Sequence, residues 1–368
     1  MRIAIVVNNF PPRVGGLETH VYGLARHLVA AGHDVRVLAL TDEIDRRFDD
    51  DLDVVRFREF LRIGDVLGFP VPGTTRRVAR DLAQWRPDVI SVHTRFFPMS
   101  WVGLRVARRL GVPLIHTEHG SGHVASESPL IRWGSKAVDL TLGRAVLRGA
   151  TQVLGVSEKT VAFVETLSGR KARVFYNAIE PVEEGGEMPL APDGLKVVFV
   201  GRLVSGKGAD VFVEVVAKLR ERGVDVSAVA LGDGPERPRL EALIADLQLQ
   251  EHVLLRGRVA ASEVQRELHG AILISPSVLA EGFQITLLEA LAAGGRAVSY
   301  DVPGGAVLAA QGHPVAVVHE QNASALADAV MRMSAEPVTS GRSLSEWYWP
   351  ERAVEYALIC EEVVAEAP

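Results

Sequence analysis

Two glutamates flank a short apolar segment in "SVLAEGFQITLLEALAAGG", residues 277–295. One interpretation of their spacing is purely structural. Thr286 and Glu289 match a capping box, in which Thr286 starts a helix and Glu289 accepts a hydrogen bond from a free backbone amide. Glu281 is then an ordinary loop carboxylate in contact with solvent.

The second interpretation makes the same segment a ligand site. If a helix begins near Gln284, the backbone amides of Gly282, Phe283 and Gln284 have no partner within that helix and are available to a ligand. Glu281 suits a sugar hydroxyl, and Glu289 suits a ribose diol. Carboxylates that cleave a glycosidic bond must face each other across it. These two come from one short segment, so holding a ligand is the more economical role.

Two cations follow a β-branched strand in "GRLVSGKG", residues 201–208. Arg202 and Lys207 lie between that strand and the next helix, where fixed positive charges can neutralise a diphosphate. The segment is not a P-loop, because that motif needs Ser or Thr after the lysine and Gly208 stands there. We interpret both cations as ligand contacts, and the alternative is a pair of solvated surface charges.

Paired glycines separate the first strand from the first helix in "NNFPPRVGGLETH", residues 8–20. Gly15 and Gly16 would let backbone amides approach a phosphate, which the helix dipole favours by about 0.3–2 kcal/mol. The spacing is not G-x-G-x-x-G, so a dinucleotide site is not indicated. A tight strand-to-helix turn is the structural alternative.

Three histidines lie close together in "HTEHGSGH", residues 116–123, and invite comparison with a metal site. Glycines rather than a regular element separate His116, His119 and His123, and Glu118 is the one carboxylate near them. We therefore favour a polar turn in which one imidazole binds a ligand hydroxyl, and we expect no metal.

The composition of the 368 residues is typical of a globular enzyme, with 48% apolar and 23% charged residues. A single cysteine, Cys360, excludes an intramolecular disulfide framework and fits a reducing cytosol. No apolar run reaches the roughly 18 residues of a membrane span. The amino-terminal "MRIAIVVNNF" is too short and too soon polar for a signal peptide and is predicted to be the first strand.

Charge is divided unevenly along the chain. Residues 1–180 contain 25 Lys and Arg against 19 Asp and Glu, a balance of +6, while the remainder contains 15 against 27, a balance of −12. The basic first half favours an anionic partner. No basic run or zinc-finger spacing appears, so nucleic-acid binding is not indicated.

Short apolar strands alternate with helical patterns through the whole chain, which predicts parallel sheets covered on both faces. Residues 180–195 interrupt this alternation with acidic residues, Pro and Gly, and a domain linker is predicted there. A last helix is predicted at about 350–366. Two doubly wound α/β domains place a ligand at the carboxyl ends of their strands.

Motifs along nearly the whole chain resemble the retaining glycosyltransferases of family 4. They are "FPPRVGG", "HTEHG", "GVSEKT", "YNAIEP", "GRLVSGKG", "LGDGPE" and the E-x7-E of "EGFQITLLE", followed by "EALAAG". The resemblance implies a GT-B fold with two Rossmann-like domains, an acceptor domain at 1–182 and a nucleotide-sugar domain at 183–345. A terminal helix, 346–368, is then expected to cross back to the first domain.

The resemblance also implies the site residues. Donor binding is assigned to Gly16, Arg202, Lys207, Glu281, Phe283, Gln284 and Glu289, and catalysis to His119, Arg202, Lys207 and Glu281. The cations would hold the diphosphate of a UDP- or GDP-hexose, Glu289 the ribose, and Glu281 the transferred sugar together with the amides of Phe283 and Gln284. His119 would contact that sugar, and Gly16 would approach the leaving phosphate.

Neither a cofactor nor a metal is expected, because the nucleotide-sugar is a substrate. "DLD" at residues 51–53 resembles the metal-binding motif of another transferase fold, but it begins a strand in the first domain. Three departures from the family pattern bear on which sugar and base are bound: Gln284 for the usual Gly, Gly206 for the usual acid before the lysine, and the lack of the common acid after the glycines of "VPGGAVL". A sugar-nucleotide 2-epimerase and a noncatalytic nucleotide-sugar-binding protein are the alternative functions.

The acceptor is expected to be a hydroxyl of a lipid, glycan or small molecule. Arg132, Lys136, Arg144 and Arg148 are predicted to share one face of a long helix, and a second basic and apolar stretch covers residues 56–69. Such surfaces bind anionic lipid headgroups, and "FPPRVGG" is similar to the loop of bacterial phosphatidylinositol mannosyltransferases. A cytoplasmic protein with peripheral membrane contact is therefore expected, and a solvated basic face is the alternative.

Overall fold

The computed structural model describes residues 1–13, 15–41, 52–63, 67–123, 128–182, 194–336 and 342–367. The chain forms two compact units. The first consists of Met1–Glu180, Ala280–Phe283 and Ser345–Pro368, and the second of Pro181–Leu279 and Gln284–Leu344. Most of the predicted linker, residues 183–193, lies outside the described residues.

The first unit alternates strands and helices. Its elements before the linker are β1 (Arg2–Val6), α1 (Gly16–Ala30), β2 (Asp34–Thr41), β3 (Asp53–Ile63), β4 (Leu67–Pro70), α2 (Thr74–Trp85), β5 (Val89–His93), α3 (Pro98–Leu110), β6 (Leu114–Glu118), α4 (Pro129–Val138), a π-helical turn (Asp139–Gly143), α5 (Arg144–Gly149), β7 (Gln152–Gly155), α6 (Glu158–Ser168) and β8 (Arg173–Val174).

These strands form one sheet in the order β4-β3-β2-β1-β5-β6-β7-β8. All neighbours are parallel except β3 and β4. β5 and β6 are buried along their whole length, as expected for strands covered on both faces. Separate apolar clusters cover the two faces, one containing Leu24 and the other containing Leu104.

The second unit repeats the alternation. Its elements are β9 (Leu195–Val200), α7 (Ala209–Glu221), β10 (Val226–Leu231), α8 (Arg237–Asp246), β11 (Val253–Gly257), α9 (Ala261–Leu268), β12 (Ile272–Ser275), α10 (Ile285–Ala292), β13 (Arg296–Tyr300), α11 (Gly305–Ala310), β14 (Val315–Val318) and α12 (Ala323–Ala335). The described strands form a six-stranded parallel sheet, β11-β10-β9-β12-β13-β14. The predicted pair of doubly wound α/β domains is confirmed.

The last helix, α13 (Trp349–Ala365), packs within the first unit. Trp349 lies so close to α1 that a Cβ on Gly23 would be 2.3 Å from its Nε1 atom. Tyr356 Oη lies 2.6 Å from Ser91 Oγ on β5. Cys360 is buried in the same cluster. In the described part of the chain, no helix has the length and apolarity needed to cross a membrane.

The predicted long helix near residues 129–149 is interrupted. The π-helical turn separates α4 from α5 and changes the angular position of every residue after it. Arg148 Nε donates to the Ser168 carbonyl at 2.9 Å, and Arg144 has a buried Nε. The four cations therefore do not share one regular α-helix: Arg132 and Lys136 lie on α4, and Arg144 and Arg148 lie on α5.

The second basic stretch also differs from its prediction. Residues 56–63 belong to β3 itself, and residues 64–66 lie outside the described part. Arg62 pairs with Glu59 at 2.6 Å, and Arg56 donates to the Pro11 carbonyl at 2.6 Å. Asp53, the described acid of "DLD", pairs with Arg36 at 2.7 Å. These charges are engaged inside the first unit.

Strand order reverses beside β1 in the first sheet and beside β9 in the second. Ligands of open α/β sheets bind outside the carboxyl ends of strands at such points. The loops there follow β1 and β5 in the first unit, and β9 and β12 in the second. The loops after β1, β6, β9 and β12 contain the residues predicted for the site or lead into the helices that carry them.

Candidate active site

The loop after β6 carries His119 and is held by the residue before it. β6 ends at Glu118, whose side chain is fully buried. Glu118 Oε1 accepts hydrogen bonds from the backbone amides of His119 and Gly120, both at 3.1 Å. The backbone position of His119 therefore depends on a carboxylate placed inside the turn.

A buried arginine neutralises Glu118. Arg95 follows β5 and donates from Nη1 to Glu118 Oε1 at 2.9 Å and from its backbone amide to Oε2 at 3.0 Å. Its Nη2 donates to Oδ2 of Asp139, at the start of the π-helical turn, at 2.9 Å. All three side chains are 0% exposed. Burial alone would raise the pKa of Glu118, but the Arg95 charge and hydrogen bonds from His116 and the Arg95 backbone lower it to about 2.

Two of the three histidines in this loop face carboxylates. His116 Nε2 lies 3.2 Å from Glu118 Oε2, and His123 Nδ1 lies 2.6 Å from Asp139 Oδ2. The motif at residues 116–123 therefore does not by itself gather three imidazoles. Its outer histidines help to hold the turn from which His119 projects.

His119 lies beside two histidines that the motifs did not single out. Its Nε2 is 3.1 Å from Nδ1 of His93, the last residue of β5. Its ring centroid is 4.6 Å from that of His20, on α1. A usable signal was present, because adjacent parallel strands end side by side, so a histidine ending "VISVH" meets one that follows the next strand.

Residues Ala280–Phe283 belong to the first unit and bring Glu281 to this loop. Glu281 forms an isolated antiparallel bridge with Gly120. A Cβ on Gly282 would lie 2.2 Å from the carbonyl oxygen of His119, so only glycine fits there. The structure thus places two predicted catalytic residues, His119 and Glu281, on adjoining stretches of backbone.

Gly16 and Phe283 differ in their access to a ligand. Gly16 is the exposed first residue of α1, and a Cβ there would meet no described atom within 4 Å. Phe283 is buried, with its ring centroid 5.6 Å from that of Trp347 and 6.1 Å from that of Tyr176. Any ligand contact of Phe283 must therefore come from its backbone rather than from its ring.

Arg202 and Lys207 lie on the loop between β9 and α7. Gly206 and Gly208 both have φ of +82°, in the left-handed region that favours glycine. A Cβ on Gly208 would lie 2.4 Å from the carbonyl oxygen of Pro276, just after β12. Arg202 is exposed and forms no ion pair with a described residue, whereas Lys207 is partly buried. Close backbone packing therefore positions the two cations.

The start of α10 corrects two expectations. Gln284 is its N-cap residue, so Thr286 is the second residue of the helix, and its hydroxyl donates to Gln284 Oε1 at 3.3 Å. The capping-box prediction is wrong. The backbone amide of Gln284 donates to the Pro303 carbonyl at 3.1 Å, so the prediction that this amide is available is also wrong.

Glu289 lies in the second turn of α10 and is partly buried. Burial raises its pKa. Within the described ranges, no residue supplies a hydrogen bond or an ion pair to this carboxylate. The two hydroxyls of a ribose would supply donors to this carboxylate. This geometry suits the predicted role of Glu289.

Two family models match the chain. The model described as Glycosyltransferase Family 4 matches residues 14–183, and the model described as Glycosyl transferases group 1 matches residues 187–346. The chain belongs to glycosyltransferase family 4. It is a glycosyltransferase of the GT-B type that acts on nucleotide sugars, so the class that the motifs indicated is confirmed.

Curated relatives include a phosphatidylinositol N-acetylglucosaminyltransferase subunit of Arabidopsis thaliana, 29% identical over 83% of this chain, and the protein of that name from Homo sapiens, 25% identical over 82%. The chain spans 68% and 62% of their respective lengths. Among solved structures, Anabaena HepE in complex with UDP and glucose is similar with a TM-score of 0.77 and 16% identity, over 98% of this chain and 100% of the other. That likeness confirms the GT-B fold.

Proposed function

We propose that this glycosyltransferase moves a hexose from a UDP- or GDP-linked donor to a hydroxyl of a membrane lipid. The anomeric configuration is retained, and no metal ion takes part in the transfer. The reaction takes place at the cytoplasmic face of the membrane.

The donor residues support the first half of this proposal. Glu289 is a partly buried carboxylate without a described donor, and it accepts from the ribose diol. Arg202 and Lys207 neutralise the diphosphate, whose negative charge grows as the anomeric bond breaks, and electrostatic catalysis of this kind contributes about 3–4 kcal/mol per well-placed donor. The open amino terminus of α1 at Gly16 is a further place for a phosphate oxygen.

The sugar is held while the bond to the diphosphate breaks through an oxocarbenium-like state. Glu281 and His119 contact its hydroxyls, aided by the amide of Phe283, and the leaving phosphate takes the proton of the acceptor hydroxyl. Gln284 contributes through its side chain alone, because its amide is bound to Pro303.

The proposal of a lipid acceptor rests on the exposed apolar side chains of α4. None of the residues of α4 is buried, although the helix is rich in apolar side chains. Leu130 is 83% exposed and Trp133 is 72% exposed, and Ile131 is exposed beside them. Arg132 and Lys136 lie on the same helix and are exposed as well. A helix that exposes tryptophan and leucine with cations fits an anionic membrane surface.

The relatives named for phosphatidylinositol N-acetylglucosaminyl transfer support a lipid acceptor. The test incubates the enzyme with each of a panel of UDP- and GDP-hexoses and with vesicles that contain phosphatidylinositol or diacylglycerol. The expected result is a glycolipid together with released nucleoside diphosphate. Transfer only to soluble glycans would contradict the lipid acceptor, and an isomerised donor without transfer would identify an epimerase.

The proposed contact of α4 with a membrane is tested by the double variant Trp133→Ser, Leu130→Ser. We expect the wild type to sediment with phosphatidylglycerol vesicles at low salt and to be released at high salt, since each cation near the surface adds about 1 kcal/mol. The double variant should remain in the supernatant. Leu254→Ser, which alters an exposed leucine of the second unit, is the matched control and should sediment normally. Unchanged sedimentation of the double variant would remove α4 from the membrane surface.

A further inference from the structure

Three histidine side chains from separate elements converge inside the first unit. They are His20 on α1, His93 at the end of β5 and His119 after β6. One ring nitrogen from each can be chosen so that all three lie within 4.8 Å of one another. His20 and His93 are buried, while His119 is partly exposed.

Hydrogen bonds orient the ring of His93 toward His119. Its Nε2 lies 3.1 Å from Ser91 Oγ, which is in turn 2.6 Å from Tyr356 Oη. In the tautomer that donates Nε2–H to Ser91, Nδ1 directs its lone pair at His119 Nε2, 3.1 Å away. An oxygen that accepts the N–H on the far side of the ring is the usual arrangement around a metal-bound imidazole.

His20 has no hydrogen-bond partner at either ring nitrogen within the described residues. Burial lowers its pKa to about 4, with a smaller opposing effect from Asn177, whose contact falls short of hydrogen-bond geometry. Burial and mutual repulsion also lower the pKa of His93 and His119.

We infer that His20, His93 and His119 form a three-imidazole site for a borderline transition-metal ion, with Zn²⁺ as the chemically best match. Two nitrogens about 2.0–2.1 Å from one tetrahedral zinc ion lie about 3.3 Å apart. The pair at 3.1 Å already meets this spacing. A rotation of the His20 side chain brings in the third nitrogen, and water takes the fourth position.

The set of donors selects against other cations. It contains three nitrogens and no carboxylate, whereas Mg²⁺ and Ca²⁺ require oxygen ligands. It also differs from the motif at residues 116–123, of which only His119 takes part. The competing description is a plain hydrogen bond from His119 Nε2–H to His93 Nδ1, with no ion.

The zinc site is argued independently of the proposed function. Its expected effect on activity, in contrast, rests on that function. His119 is assigned a contact with the transferred sugar, so an ion on its Nε2 removes that contact. Zinc at this site would inhibit the transfer rather than promote it, and a chelator would restore activity.

The binding test uses the full chain without an added histidine tag, stripped with a chelator and titrated with Zn²⁺ against a chromophoric chelator. One equivalent of tightly bound zinc is expected. His93→Gln keeps a donor near Ser91 but removes Nδ1, and His20→Leu removes the third ligand. Each should weaken zinc binding by at least the roughly 10–100-fold that a metal site loses when a hydrogen-bond partner of one ligand is removed.

His319→Gln is the matched control, because His319 is an exposed histidine of the second unit. It should bind zinc like the wild type. Equal affinity in His20→Leu and the wild type, or no stoichiometric binding by the wild type, overturns the site. Should His93→Gln fail to fold, the visible spectrum of the Co²⁺-loaded wild type decides: four-coordinate absorption supports the site, and six-coordinate absorption refutes it. Zinc binding without inhibition would leave the site in place and remove the role of His119 in transfer.

Discussion

The loop after β6 and helix α10 differ in whether their carboxylates have hydrogen-bond donors within the protein. In the first, Glu118 is surrounded by donors from Arg95, His119 and Gly120, so the loop is complete without a ligand. In the second, Glu289 has no donor among the described residues. The loop that carries His119 is thus held by its own hydrogen bonds, whereas Glu289 keeps acceptors available, as expected if α10 binds the proposed nucleotide.

The largest effect that tests this comparison is expected from Glu118→Gln. The change leaves the buried Arg95 with half of its neutralising charge, and breaking a buried ion pair costs about 3–5 kcal/mol. Urea unfolding should therefore show a large loss of stability. The control is Asp34→Asn, which removes an exposed partner of Arg2 and should cost less than about 1 kcal/mol. Similar losses in both variants would contradict the rigid description of the loop.

Glu118 also predicts a dependence on pH. Its pKa of about 2 in the folded protein lies below the usual 4.5, so its stabilising contribution is complete above the usual value and is lost as the pH falls toward 2. The unfolding free energy of the wild type should fall across this range. The unfolding free energy of Glu118→Gln should fall less over the same pH range, because the variant lacks this carboxylate. If the two plots of unfolding free energy against pH are parallel, other carboxylates dominate acid unfolding.

The cation loop of the second unit should show the reverse pattern, a large loss of activity with little loss of stability. Arg202→Ala should lower kcat/KM by about 10²–10³, because the positive charge acts on the leaving phosphate. Its unfolding free energy should stay within about 0.5 kcal/mol of the wild type, as for other exposed positions. Arg239→Ala alters an exposed arginine of the same unit and should leave kcat/KM unchanged. Normal turnover of Arg202→Ala would remove Arg202 from the site.

Glu289→Gln should separate binding from stability. Since burial raises the pKa of this carboxylate above its unfolded value, ionisation destabilises the fold as the pH rises through and above that range. The variant should therefore be more stable than the wild type at pH 7, by about 0.5–2 kcal/mol, and the gain should vanish near pH 4. Calorimetry should show weaker binding of the nucleoside diphosphate. A less stable variant would mean that Glu289 has a structural partner.

The sequence predicted those parts of the molecule that depend on local pattern. Buried β-branched strands such as "VISVH" identified the parallel sheets, and the glycine-rich pattern indicated the loop that carries Arg202 and Lys207. The motifs could not place His20 beside His119, since that contact depends on how α1 packs on the sheet. The amide of Gln284 was expected to be free, because its acceptor is not a neighbour in sequence. That acceptor, the Pro303 carbonyl, lies beyond the next strand. The π-helical turn at Asp139, which pairs with the distant Arg95, was not visible in the helical periodicity of the sequence.

The smallest expected effect distinguishes the two descriptions of the start of α10. A capping box at Thr286 would make Thr286→Ala cost about 1 kcal/mol, whereas a threonine in the second helical position should cost less than about 0.5 kcal/mol. Asn322→Ala is the reference, because the Asn322 side chain caps α12 by accepting from the Ala325 amide at 2.8 Å. It should cost about 1 kcal/mol. Urea unfolding of the two variants side by side gives the answer. If Thr286→Ala loses as much unfolding free energy as Asn322→Ala, Thr286 caps α10 after all. The first amides of α10 would then be bound by its own side chains and not available to a ligand.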